Sequence, residues 1–165
     1  MFPLMAIEPG QKLPSVTIKQ ATSEGGADVD PSVLFAGKKV VMFSLPGAFT
    51  PTCSQKHLPG YVAELDSLRA KGVDLVACLS VNDWFVMQAW AREHGALDKI
   101  VMLADGAAVF SKALGIDADM SAFGMGIRAR RGLFVIEDGT VTSAELEAPG
   151  KFEVSSAEAC KVKLG

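Results

Sequence analysis

The residues best suited to chemistry lie in one segment, Pro46-Gly-Ala-Phe-Thr50-Pro-Thr-Cys53-Ser-Gln-Lys-His57. Thr50 suits a helix N-cap, and Pro51 suits the first helical position, where its missing N–H costs nothing. In that register Cys53 is the third helical residue. Its sulfur faces unpaired backbone N–H groups and the positive end of the helix dipole, which favour the nucleophilic thiolate. No second cysteine stands three positions away, so a dithiol exchanger of the C-x-x-C kind is disfavoured. His57, one turn further on, is expected to pack or to hydrogen-bond rather than to act as a base.

The surrounding elements must bring this segment to an open end of a sheet. Lys39–Leu45 reads as a strand buried on both faces, because its hydrophobicity is nearly continuous; Val73–Val81 and Lys99–Ala104 read likewise. A helix is predicted between the first two, with Val62, Leu65 and Leu68 on its apolar face. Another is predicted over Asp83–Glu93, and Gly72 and Gly95 suit the left-handed positions that end these helices. Alternating strands and helices imply parallel pairing through crossovers. Gly132–Ile136, the turn at 137–140 and Val141–Leu146 form a predicted hairpin. Ser155-Ser-Ala-Glu158 has the spacing of a capping box before a C-terminal helix. Residues 20–30 read as an exposed loop. The expectation is one domain over residues 1–165, of the α/β class, with a mixed β-sheet flanked by helices. Cys53 then sits beyond the carboxyl end of a buried strand, where open α/β sheets place their sites.

Composition narrows the function. The chain has 165 residues, 49% hydrophobic and 21% charged, enough apolar material for a sizeable core. A net charge of −3, with no basic run longer than Arg130-Arg131, argues against nucleic acid. The apolar start at residues 1–5 lacks the basic flank and longer run of a signal peptide, and no stretch approaches the roughly 18 apolar residues of a membrane span. Three widely separated cysteines, at 53, 78 and 160, suit a reducing compartment, so the expected location is cytoplasmic. Two histidines and three scattered thiols show no metal-ligand spacing, and no metal or other cofactor is expected. Cys78, within an apolar strand, and Cys160, in the C-terminal helix, are read as packing residues.

Pro46-x-x-x-Thr50-x-x-Cys53 resembles the active-site motif of the peroxiredoxins. The longer string PGAFTPTCSQKHLPGYV, with VACLSVNDWFV at 76–86, is similar to their type II, or fifth-class, branch. The similarity runs on through Leu103-Ala-Asp105 and Gly124–Arg131 to the turn at 137–139, covering nearly the whole chain.

This resemblance implies a thioredoxin-like fold and a thiol peroxidase acting on hydrogen peroxide and organic hydroperoxides. It implies that Cys53 attacks the peroxide, that Pro46 shields the sulfur from water, and that the Thr50 hydroxyl hydrogen-bonds peroxide and sulfur. A distant arginine is implied to contact both sulfur and peroxide; matching the family's pattern assigns that place to Arg128. The resolving cysteine of animal-type members has no counterpart in Gly150–Ser156, which implies reduction by an external thiol, glutaredoxin with glutathione or thioredoxin. A homodimer is also implied. Two other classes compete: a redox-switched binding or chaperone-like module, and a cysteine hydrolase, for which neither His57 nor His94 lies in a suitable motif.

Overall fold

Alternate residues of the strand Lys39–Leu45 feed two different cores. Val41, Phe43 and Leu45 belong to one cluster of buried side chains, and Val40 and Met42 to the other. A strand with apolar residues at both parities must lie inside a sheet covered on both faces, and it does. The computed structural model describes residues 5–165, so the apolar start at residues 1–4 lies outside the described residues.

In chain order the strands are β1 (Ile18–Thr22), β2 (Gly25–Val29), β3 (Lys39–Leu45), β4 (Leu75–Ser80), β5 (Val101–Ala104), β6 (Asp117–Asp119), β7 (Ile127–Ala129), β8 (Gly132–Glu137) and β9 (Thr140–Leu146). The helices are α1 (Pro31–Leu34), α2 (Leu58–Ala63), α3 (Leu65–Ala70), α4 (Trp84–Glu93), α5 (Val109–Ala113) and α6 (Ala157–Leu164). The main sheet has the order β2-β1-β5-β4-β3-β8-β9, while β6 and β7 form a separate antiparallel pair. β3, β4 and β5 are parallel neighbours, as the alternating pattern predicts; β1, β8 and β9 join antiparallel, so the sheet is mixed. One face carries Leu58, Tyr61, Leu68, Met87, Trp90 and Cys160, and the other carries Phe35, Phe110, Leu114 and Ile116. No helix among the described residues is long and apolar enough to cross a membrane.

Three expectations about the elements are corrected. Residues 20–30 are a β-hairpin, not a loop, and β1 adds to the sheet against β5. The sequence of β2, Gly-Gly-Ala-Asp-Val, has weak strand propensity, and its Gly26 is set by packing. A Cβ there would lie 2.6 Å from the Trp84 indole, so only glycine lets α4 close on the hairpin. The helix after Cys53 is not continuous. After a helical start at residues 51–52 it runs as a π-helical turn over Cys53–His57, in which the Leu58 N–H bonds the Cys53 carbonyl, and it breaks at Glu64 between α2 and α3. Finally, the cap of α6 is Ser156, whose hydroxyl accepts from the Ala159 N–H at 3.1 Å; Ser155 is engaged elsewhere. The predicted helix stops do hold, with Gly72 and Gly95 left-handed at φ +89° and +68°.

Candidate functional site

β3 ends at Leu45, and the chain then crosses the sheet's carboxyl edge through residues 46–52 before delivering Cys53. This connection is held at several points. The Ala48 N–H donates to Asn82 Oδ1 at 3.0 Å, and the Ser80 hydroxyl donates to the same oxygen at 2.6 Å, which ties the loop to the end of β4. The Thr50 hydroxyl donates to the Gly47 carbonyl at 2.7 Å, and the Thr50 carbonyl receives the first helical bond, from the Ser54 N–H at 3.0 Å. Thr50 is therefore the helix-start residue by its backbone. Its proton is committed to Gly47, leaving oxygen lone pairs as acceptors. Phe49 is held at φ +65°, a costly conformation for a residue with a Cβ, and it persists because these bonds over-determine the loop.

Cys53 is fully buried. Its sulfur accepts from Arg131, with Nη2 at 2.9 Å. The expected contact from Arg128 is absent: Arg128 donates from Nε to the Met125 carbonyl at 2.9 Å and from Nη1 to the Pro46 carbonyl at 3.2 Å. Arg128 thus braces the loop, and Gly47 makes room for it, since a Cβ there would lie 2.7 Å from Nη1. The reason is register. β8 runs antiparallel to β3 with Gly132 opposite Ser44, so one residue further back Arg131 falls beside Leu45, where the reactive loop begins. Arg128 instead belongs to β7, which pairs with β6.

Arg131 is positioned by His57. Nη1 of Arg131 lies 2.6 Å from His57 Nδ1, and His57 Nε2 lies 3.0 Å from the Ser155 carbonyl. A carbonyl only accepts and a guanidinium only donates, so the ring carries its proton on Nε2 and accepts at Nδ1. Burial, and then the charge of Arg131, push the His57 pKa down from 6.5 to about 3, against the opposing Ser155 carbonyl and Glu147. His57 is a neutral spacer, in line with the hydrogen-bonding role expected of it.

That depression makes a prediction. The unfolded chain binds a proton at His57 as pH falls through about 6.5, and the folded protein does not until about 3. The stability contributed by neutral His57 is complete above pH 6.5 and is lost progressively as pH falls toward 3. Urea unfolding between pH 7 and 4 should show His57→Asn with a shallower pH dependence than the parent, by up to one proton. Identical slopes would mean that His57 protonates in the native state.

Beside Pro46, Thr52 and Arg131 opens a cavity of about 490 Å³ whose other walls include Met120, Phe123, Pro149 and Phe152. Pro46 and Arg131 line this cavity, Cys53 meets Arg131, and Thr50 stands on the connecting loop with its hydroxyl bonded to the Gly47 carbonyl rather than to the sulfur as expected. Among the described residues, no cluster of three metal-ligating side chains exists. Burial pushes the Cys78 thiol well above the usual range, and burial raises Cys160 to about 11, so neither competes as a nucleophile in the folded protein.

The Redoxin family model matches residues 8–160. Peroxiredoxin-2E, chloroplastic, of Arabidopsis thaliana is 45% identical over 157 residues, 93% of this chain and 67% of the relative. Peroxiredoxin-2C of Oryza sativa subsp. japonica is 49% identical over 125 residues, 76% of this chain and 77% of the relative. The crystal structure of reduced Prx3 from Vibrio vulnificus in complex with hydrogen peroxide superposes with a TM-score of 0.92 at 52% identity, covering 96% of this chain and 99% of that one. The chain belongs to the peroxiredoxins, with their thioredoxin-like fold, and is a thiol-dependent peroxidase.

Proposed function

We propose that Cys53 is the sulfur that attacks peroxide, that Arg131 is the arginine that activates it, and that an external thiol regenerates it. The observation that carries this reading is the 2.9 Å contact from Arg131 Nη2 to Cys53 Sγ at the start of a helix. The thiolate attacks one peroxide oxygen, forming an S–O bond as the O–O bond breaks. The departing oxygen takes a proton and leaves as water, or as an alcohol from an organic hydroperoxide. Cys53 becomes a sulfenic acid. Arg131 stabilises the thiolate and then the charge developing on the leaving oxygen. Thr50, its proton given to Gly47, accepts the hydrogen bond of the bound peroxide, and Pro46 keeps water from the sulfur.

The cavity supports organic hydroperoxides as substrates alongside hydrogen peroxide. Met120, Phe123, Pro149 and Phe152 offer apolar contact to an organic tail, while Arg131 marks the end at which the peroxide group reacts.

The state of the other two cysteines supports resolution by an outside thiol. Cys78 is hydrogen-bonded into the middle of the sheet, between Phe43 of β3 and Met102 of β5. A strand interior cannot shift to meet disulfide geometry without breaking its ladder. The expected result is that a Cys78→Ser, Cys160→Ser double variant keeps most of its turnover with glutaredoxin and glutathione. Mass spectrometry after one equivalent of peroxide should find the sulfenic acid on Cys53, or a mixed disulfide once glutathione is present. A dominant Cys53–Cys78 bond, with turnover lost in the double variant, would overturn this and favour thioredoxin as reductant. Peroxide consumed in large molar excess over protein also separates an enzyme from a redox-switched binding module, which would stop after one oxidation.

A further inference from the structure

An arginine that must donate to a sulfur and to peroxide needs to be aimed without being neutralised. Among the described residues, no carboxylate forms an ion pair with Arg131. Its aim is set instead through neutral groups that lead back to one buried acid, Glu147.

Glu147 directly follows β9 and is 5% exposed. Its N–H donates to the Arg131 carbonyl at 2.9 Å, extending the β8–β9 pairing to the arginine itself. Its side chain turns the other way. Oε2 accepts from the backbone N–H groups of Glu153, Val154 and Ser155 at 2.8, 2.8 and 2.9 Å, and from the Ser155 hydroxyl at 2.6 Å. Oε1 also accepts from the Glu153 N–H at 2.9 Å. Gathering these donors on one carboxylate draws residues 147–155 into a closed loop, because charge-assisted bonds to a single acceptor hold three successive backbone N–H groups together. The carbonyl of Ser155 is then directed at His57 Nε2 and at the Tyr61 hydroxyl, 3.0 and 2.7 Å away. The same loop lays Phe152 edge-on against His57, with centroids 5.0 Å apart, and its ring centroid lies 5.7 Å from the Arg131 guanidinium carbon.

We propose that Glu147 is a positioning residue for the peroxide step, ordering the 153–155 backbone so that Ser155 fixes His57 and His57 aims Arg131 at the Cys53 sulfur. A carboxylate bonded directly to Arg131 would align it equally well but would take up the donors and the charge that the reaction uses. Placing the acid behind a carbonyl and a neutral imidazole separates alignment from neutralisation. The inference rests on the role of Arg131 proposed above.

The test is the single-turnover rate of the reduced protein with hydrogen peroxide, followed by tryptophan fluorescence. Trp90 donates to the hydroxyl of Ser54, the residue after Cys53, at 2.9 Å, so a reporter sits beside the reaction. Glu147→Ala should lower the rate constant by ~10-fold or more, while Glu147→Gln, whose amide oxygen can occupy the position of Oε2, should stay within ~3-fold of the parent. In an Arg131→Met background Glu147→Ala should cost nothing further, since its effect passes through that guanidinium. Nitrogen NMR of His57 should show a single Nε2–H tautomer in the parent and a mixture in Glu147→Ala. Thermal unfolding confirms which variants are folded. Should Glu147→Ala fail to fold, Ser155→Ala removes one bond of the same relay and should give a smaller loss that also vanishes with Arg131→Met. A folded Glu147→Ala or Ser155→Ala that reacts at the parent rate, or equal losses with and without Arg131, would overturn the inference. If Arg131→Met alone reacts normally, the proposed role of Arg131 falls and this inference falls with it. If Arg131→Met is slow and Glu147→Ala is not, only the positioning role is lost.

Discussion

Cys53→Ser is expected to abolish turnover of hydrogen peroxide and of organic hydroperoxides while leaving the fold in place. A serine hydroxyl is close in size to the thiol, can still accept from Arg131 Nη2, and leaves the fully buried pocket filled. It cannot supply the reaction, because an alcohol at this position is neither ionised at neutral pH nor able to take oxygen from a peroxide as sulfur does. Residual activity from the other two thiols is not expected, since both are buried and burial raises both. The measurement is reductant-coupled peroxide consumption beside a circular dichroism melt. Substantial turnover by a folded Cys53→Ser protein would refute Cys53 as the nucleophile.

The second large effect is expected at Arg131. Removing a positioned, charged donor from a water-poor site costs roughly 100-fold or more, about 3 kcal/mol of transition-state stabilisation. Arg131→Met keeps a side chain of similar length and should show that loss in the single-turnover rate with peroxide. Arg131→Lys should recover little, because one ammonium cannot span His57 Nδ1 and the Cys53 sulfur as the forked guanidinium does. Arg128→Met should cost much less, since Arg128 bonds only the Pro46 and Met125 carbonyls and acts by steadying the loop. Comparable losses at both arginines would mean that bracing the loop matters as much as touching the sulfur. A loss confined to Arg128 would overturn the assignment of Arg131.

These two results bear on parts of the protein that were legible in the sequence to different degrees. The chemistry of Cys53 could be read locally. A strand with apolar residues at both parities, a Thr-Pro helix start and a cysteine at the third position are all short-range features, and they specify where the sulfur stands relative to its own helix. The parallel β3-β4-β5 core, α4 and the β8–β9 hairpin were legible for the same reason: periodicity and turn chemistry act over a few residues. The π-helical turn at Cys53–His57 carries no such mark, and β2, with its two glycines, reads as a loop until Trp84 is seen packed over Gly26.

Which arginine meets the sulfur was beyond the sequence. Arg128, Arg130 and Arg131 are chemically alike and lie within four positions of one another. The choice depends on how β8 is registered against β3, and that register is fixed by the cores on both faces of the sheet. The relay from Glu147 through Ser155 and His57 to Arg131 joins residues as much as 98 positions apart in the chain and has no local pattern at all. The sequence by itself determined where Cys53 stands at its helix start and the class of the fold, because those follow from neighbouring residues and their backbone preferences. Only the tertiary structure decided which charge reaches the sulfur and what aims it, because hydrogen bonds between distant strands and loops exist only once the sheet has closed.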